Sequence, residues 1–235
     1  MKTKIISLLF LLASSMTILA QSKKVQKLKK EYIESAILEL NNQKLTLFKW
    51  ENKDTLRYHV SGEFQFMSKK NWEKYLSTIE NLINIKIVET KNSDAADIGI
   101  YFGELNDYFT KFNIKSTGNA FIKDFDNWSS RNYNQKKQLT KTTFCIVPSK
   151  TKESKRGYFN IQRLFLKSLG FLGKLENDYS VFNKFRTINN THLSKNDKKI
   201  IKIHYDNSIK AGMDIDELKL ALYSVDIETI LKEKY

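Results

Sequence analysis

The stretch RLFLKSLGFLG, Arg163 to Gly173, reads as an amphipathic helix that stops at a glycine and turns. Ahead of it, TTFCIVPS over 142–149 has the continuous apolar character of a buried strand, and Pro148, the only proline in the chain, ends it. A basic turn, KTKESKRG over 150–157, joins the two. Behind Gly173 comes KLENDYSVFNKF over 174–185, then a helix capped by Ser194, LSKNDKKIIKIHYD over 193–206. After NSIKAGMD the apolar spacing predicts a last helix over 215–235.

Working upstream, Trp72, Tyr75, Leu76, Ile79, Leu82 and Ile83 share one helical face, and Ser68 precedes them as an N-cap. This predicts a helix over 69–85, running directly into a strand at KIVET, 86–90. ADIGIYFG, 96–103, is a second buried strand. Two further strands, KLTLFKW over 44–50 and TLRYHVSGEF over 55–64, are divided by the turn ENKD. EYIESAILEL, 31–40, is expected as a short helix, and QSKKVQKLKK, 21–30, as a solvated lead-in. Glu104 to Lys141 is polar and irregular, with one expected strand at GNAFIKDF, 118–125. Strands gather in the first half and helices in the second, the segregation of an α+β domain.

The first twenty residues have the layout of a secretory signal: Lys2 and Lys4, an apolar run from Ile5 to Leu12, then small residues up to Ala20. The run is too short to span a bilayer, which argues for cleavage rather than anchoring. No cysteine follows the cut, so a lipoprotein form is not expected. The expected organisation is a signal peptide over 1–20, a lead-in over 21–54, and one domain over 55–235 exported to the periplasm or beyond.

The formal charge is +14, or +12 once Lys2 and Lys4 are removed. That surplus invites a nucleic-acid reading, but only five of the 40 basic residues are arginine and the charge is spread along the whole chain. Nucleic acid is therefore not the expected partner, and electrostatic association with an anionic surface is an alternative. Cys145, the only cysteine, lies within the apolar TTFCIV and is expected to pack as a small hydrophobe.

No local constellation carries chemistry. His59, His192 and His204 are far apart, so no paired zinc ligands exist in sequence, and G-x-S-x-G and phosphate-loop patterns are absent. The acidic pairs Asp124/Asp126 and Asp214/Asp216 read as turn carboxylates. No cofactor is expected.

Set beside the zinc-protease pattern H-E-x-x-H-x-x-G-x-x-H, the stretch aligns on Gly170. The histidine positions become Arg163, Lys167 and Gly173, and the glutamate position becomes Leu164. A helix and a strand ladder precede it, the element order of zincin domains. Ser168-Leu169-Gly170-Phe171, Asn177-Asp178, Ser180 to Asn183, Tyr205-Asp206 and Gly212-Met213 resemble the signature of exported bacterial proteins of unknown function with a zincin-like domain. The likeness covers Thr55 to Asp214, and it implies a twisted sheet, a long packing helix, a degenerate active-site helix and a helical C-terminal part. By that likeness Met213 would take the place of the methionine turn beneath a metzincin metal site.

The same residues argue against hydrolysis here. Two cations one helical turn apart repel a divalent metal, and Leu164 cannot take a proton from water. The expectation is a pseudoprotease that binds peptide or protein, with Arg163 and Lys167 as a candidate anion-binding pair for a carboxylate. A metallopeptidase using ligands drawn from His59, His192, His204 and carboxylates, and a basic polyanion-binding protein, are the competing readings. When the full chain is expressed in a bacterium, N-terminal sequencing of the processed protein is expected to begin close to Gln21. An intact Met1 terminus on the exported protein would refute the signal.

Overall fold

A parallel sheet forces its connections to cross over, and the order of elements follows from that constraint. In the computed structural model, residues 23–40, 43–44, 46–115, 124–151, 154–183 and 192–235 are described. The proposed signal, residues 1–20, lies outside them. Strands β3 (Thr55–Ser61), β4 (Lys86–Glu89), β5 (Ile98–Phe102), β6 (Asn127–Tyr133) and β7 (Leu139–Ile146) form a sheet of order β4-β3-β5-β7-β6, where β1 (Glu39–Leu40) and β2 (Gln43–Lys44) are a separate small hairpin. β3 pairs in parallel with β4 and β5, and β5 with β7, while β6 runs antiparallel along the β7 edge.

Helix α2 (Lys69–Ile83) makes the β3–β4 crossover. Its start is set by Ser68, whose side chain accepts the Asn71 N–H, and its end by Asn84 in the left-handed conformation. All six residues of its apolar face are buried, with Trp72 stacked on Tyr75 and edge-on to both Tyr58 and Phe165. Phe165 belongs to α4 (Ser154–Ser168), so α2 and α4 cover one face of the sheet, against Leu56, Ile98, Ile100, Phe144 and Ile146. On the opposite face α3 (Leu105–Lys111) buries Tyr108 and Phe109 against Cys145 and Val147. Cys145 is thus a packed hydrophobe, and burial pushes its thiol up to about 12.

The chain is α+β, with a five-stranded mixed sheet and seven helices among the described residues, none of them long and apolar enough to cross a membrane. The sequence expectations fail in three places. The first helix, α1, occupies residues 23–36 rather than 31–40. Val25, Leu28, Tyr32 and Ala36 form an apolar stripe through the lysine run, and Leu28, Tyr32 and Ala36 are buried in the core. KLTLFKW forms no long strand: Leu47 to Trp50 instead thread the core, pairing with Gly212, Met213 and Leu139. The expected strand 118–125 falls mostly on residues outside those described, and the polar NWSSRNY just beyond it forms β6. The last helix divides into α6 (Ile215–Ala221) and α7 (Ile227–Lys232), because Asp226 caps a new start through the Thr229 N–H at 3.0 Å.

The predicted turn at the end of α4 depends on Gly170, at φ +111°, where a Cβ would overlap the Phe48 carbonyl oxygen. Gly170→Ala is expected to cost about 3 kcal/mol in denaturant unfolding, from left-handed strain and backbone overlap together. Unchanged stability would show that the 47–50 segment does not depend on this close approach.

Candidate functional site

Helix α4 is buried on most of its surface, because it lies between the sheet, α2 and the C-terminal helices. Its residues at the four pattern positions do different things. Leu164 is core. Arg163 is only 7 % exposed, and its Nη1 donates to the Asn183 carbonyl at 2.9 Å. Lys167 is half-buried. At Gly173 a Cβ would collide with the Glu34 and Ile37 carbonyls, since the Gly173 N–H donates to Ser35 O at the end of α1. No side chain fits where the third ligand of the pattern would stand.

The Ser-x-Phe-Asn segment is held by α5 (Lys195–His204). Ser180 Oγ donates to Asp197 Oδ1 at 2.5 Å, while Asp197 Oδ2 accepts the N–H groups of Ser194 at 2.9 Å and Val181 at 3.3 Å. The same aspartate completes the capping box at the start of α5, as the Ser194 cap predicts. Burial raises the Asp197 carboxyl, and its hydrogen bonds oppose that shift. Arg163 is therefore tied to a turn whose other anchor is a buried acid.

Tyr205 donates to the Leu169 carbonyl at 3.0 Å, which fastens α5 to the end of α4. Met213 stands beside Leu47: its carbonyl accepts the Leu47 N–H at 2.9 Å and its sulfur accepts the Lys210 N–H at 3.4 Å. The next carbonyl, that of Phe48, faces Gly170. Gly170 and Met213 thus meet the same short segment of chain.

The three histidines have separate surroundings. His59, on β3, has its Nδ1 2.9 Å from Thr90 O just past β4, and the His192 ring sits edge-on to Tyr158. His204 is completely buried at the end of α5, with Nε2 3.2 Å from Phe48 O, Nδ1 3.3 Å from the Tyr32 hydroxyl, and its ring 4.2 Å from that of Phe171. Only a protonated nitrogen can face a carbonyl, so Nε2 carries the hydrogen and Nδ1 accepts from Tyr32. Among the described residues no three His, Cys, Asp or Glu side chains are grouped to hold a metal. In the acidic pairs, Asp126 accepts from Arg156 and Asn160, Asp214 caps α6, and Asp216 pairs with Lys219.

A cavity of about 580 Å³ opens beside Lys49, Lys53, Tyr205 and Lys202. Three of its cations are committed. Lys49 donates to Asp206 O and Ile209 O, Lys53 pairs with Asp97, and Lys202 with Glu233. Burial lowers Lys49 to about 8, against the opposing pull of Glu51.

Arg131 on β6 differs from all of these. Its guanidinium stacks over the Phe48 ring at 4.9 Å, and its buried Nε has no hydrogen-bond partner among the described residues. Directly across β7, Thr142 Oγ1 is also buried and unpartnered. Tyr133, two residues along, packs edge-on to Phe48 at 4.8 Å, with Lys137 Nζ over its ring at 4.7 Å. Sequence reasoning passed over Arg131. The one available signal was an arginine within a lysine-dominated chain. No protein-family model matches the chain, and no curated protein matches it.

Burial lowers His204 to about 3, from desolvation first and Lys49 second. Between pH 6.5 and 3 the unfolded chain binds this proton and the folded chain does not, so folded stability falls as pH falls. Across pH 6 to 5 the contribution is about 1.4 kcal/mol per pH unit at most. Urea melts in that window are expected to show a shallower dependence in His204→Gln, and equal slopes would contradict a neutral buried imidazole.

Proposed function

We propose that this chain is an exported zincin-like pseudoprotease: a non-catalytic binding protein built on a protease scaffold without its zinc. The reading rests chiefly on α4, where Arg163 is spent on the Asn183 carbonyl and Leu164 on the core. A guanidinium at one ligand position repels a divalent cation, and a leucine at the glutamate position cannot activate water. The order of elements supports it too. A helix and a strand ladder lead to a helix that ends at Gly170, and the Ser180–Asn183 turn and Met213 follow in the expected sequence.

Arg163 is a poor anion receptor in this arrangement, since it is buried and already donating. Lys167 is the more accessible member of the pair. What remains for binding is the β6 side of the sheet, which borders the first half of α4 through the Asp126 contacts to Arg156 and Asn160.

Metal analysis of the purified chain is expected to give sub-stoichiometric zinc, with no hydrolysis of a fluorogenic peptide mixture before or after zinc is added. One zinc per chain whose removal by chelator abolishes hydrolysis would overturn the reading in favour of a metallopeptidase. Binding to heparin that weakens steeply with salt, with no peptide binding, would favour the polyanion reading instead.

A further inference from the structure

Arginine is costly to bury, and proteins that bury it ordinarily give its fork a carboxylate or carbonyl. Arg163 follows that rule, through Asn183 O. Arg131 does not. Its side chain shares a sheet face with Thr142, its cross-strand partner, and that face meets the main core. Desolvation lowers the guanidinium's pKa, with Tyr133 opposing the shift. No carboxylate among the described residues is bonded to it.

An unpaired cation of this kind stores recognition energy. The Phe48 ring, 4.9 Å from the Arg131 Cζ, restrains the guanidinium, so less side-chain entropy is lost when an anion docks. β6 is the edge strand, so approach does not require opening the sheet. Beside the guanidinium, the Tyr133 ring is 45 % exposed and packs against Phe48 and Lys137. The order is fork, aromatic wall, second cation.

We propose that Arg131, Tyr133 and Lys137 form a receptor for a carboxylate carried next to an aromatic or apolar group, the guanidinium taking the carboxylate in bidentate fashion and Tyr133 packing against the adjoining side chain. This deepens the proposed binding function and rests on it. A carboxyl-terminal peptide end and an acidic side chain share the chemistry and differ in what surrounds it.

The experiment uses the full processed chain and three short peptides ending in phenylalanine: one with a free C-terminus, one amidated, and one amidated with an internal aspartate. Inorganic phosphate is the fourth probe. Expected are saturable binding of the free-acid peptide and binding about tenfold or more weaker for the amide, the cost of a charge-assisted pair. If the aspartate restores binding, the source is a side chain; if it does not, the source is the chain terminus. Either result upholds the receptor.

Arg131→Gln and Arg131→Lys are both expected to abolish the preference for the carboxylate, since a lysine supplies charge without the fork. Their melting temperatures should stay close to that of the wild type, because no hydrogen bond of the Arg131 Nε is lost. In the wild-type protein the Arg131 Nε–H NMR resonance should shift on titration, a readout independent of any variant's folding. The proposal is overturned if that resonance does not move at saturation, if Arg131→Gln binds the free acid as the wild type does, or if phosphate binds and no carboxylate does. Stoichiometric zinc would defeat the pseudoprotease reading while leaving the resonance and the Arg131 comparison to decide this one.

Discussion

One neutral imidazole joins four parts of the chain. His204 closes α5, donates to Phe48 in the 47–50 segment, accepts from Tyr32 in α1 and lies against the Phe171 ring just past α4. A charged ring there would have to give up water on every side, and Lys49 nearby adds repulsion. The arrangement therefore works only with the ring uncharged and in a single tautomer. Gly170 is part of the same junction, because any side chain on it would displace the carbonyl that His204 needs. Packing, hydrogen bonding and backbone conformation are here one constraint.

That junction explains how α4 came to be filled with structural roles. A helix facing open solvent can lend side chains to ligands, whereas one held by sheet, α2 and α5 must satisfy its own polar groups. Arg163 does so with the Asn183 carbonyl, Gln162 accepts the Tyr75 hydroxyl on its backbone oxygen, and Ser168 returns its hydroxyl to Phe165 O. The Ser180–Asn183 turn receives the other end of that account through Asp197. Arg163 and the Ser180–Asn183 turn are, in this chain, the fasteners between α4 and α5.

How much of this was readable beforehand depended on whether a signal was local. The α2 face, the Ser68 and Ser194 caps and the apolar strands β5 and β7 declare themselves in their own few residues, and they form where expected. α1 was obscured because lysines on three sides of its stripe made the segment look solvated, although Leu28 and Tyr32 were spaced for a core. β6 was obscured because an edge strand needs apolar residues on one face at most, and NWSSRNY has few. The candidate site was harder to read, because the partner of Arg163 is a backbone carbonyl twenty residues away, which no side-chain pattern encodes. The isolation of Arg131 is harder still, since a missing partner exists only in three dimensions.

The contacts that close the core span most of the chain: Trp50 to Ser168 across 118 residues, Lys49 to Asp206 across 157, and Tyr32 to His204 across 172. Such separations make folding slow, because loop closure must precede the contacts that reward it. α4 cannot seat its final turn before Phe48 is fixed, and Phe48 has no acceptor role until α5 has been synthesised. A chain wired in this way stays loose until its last third is available.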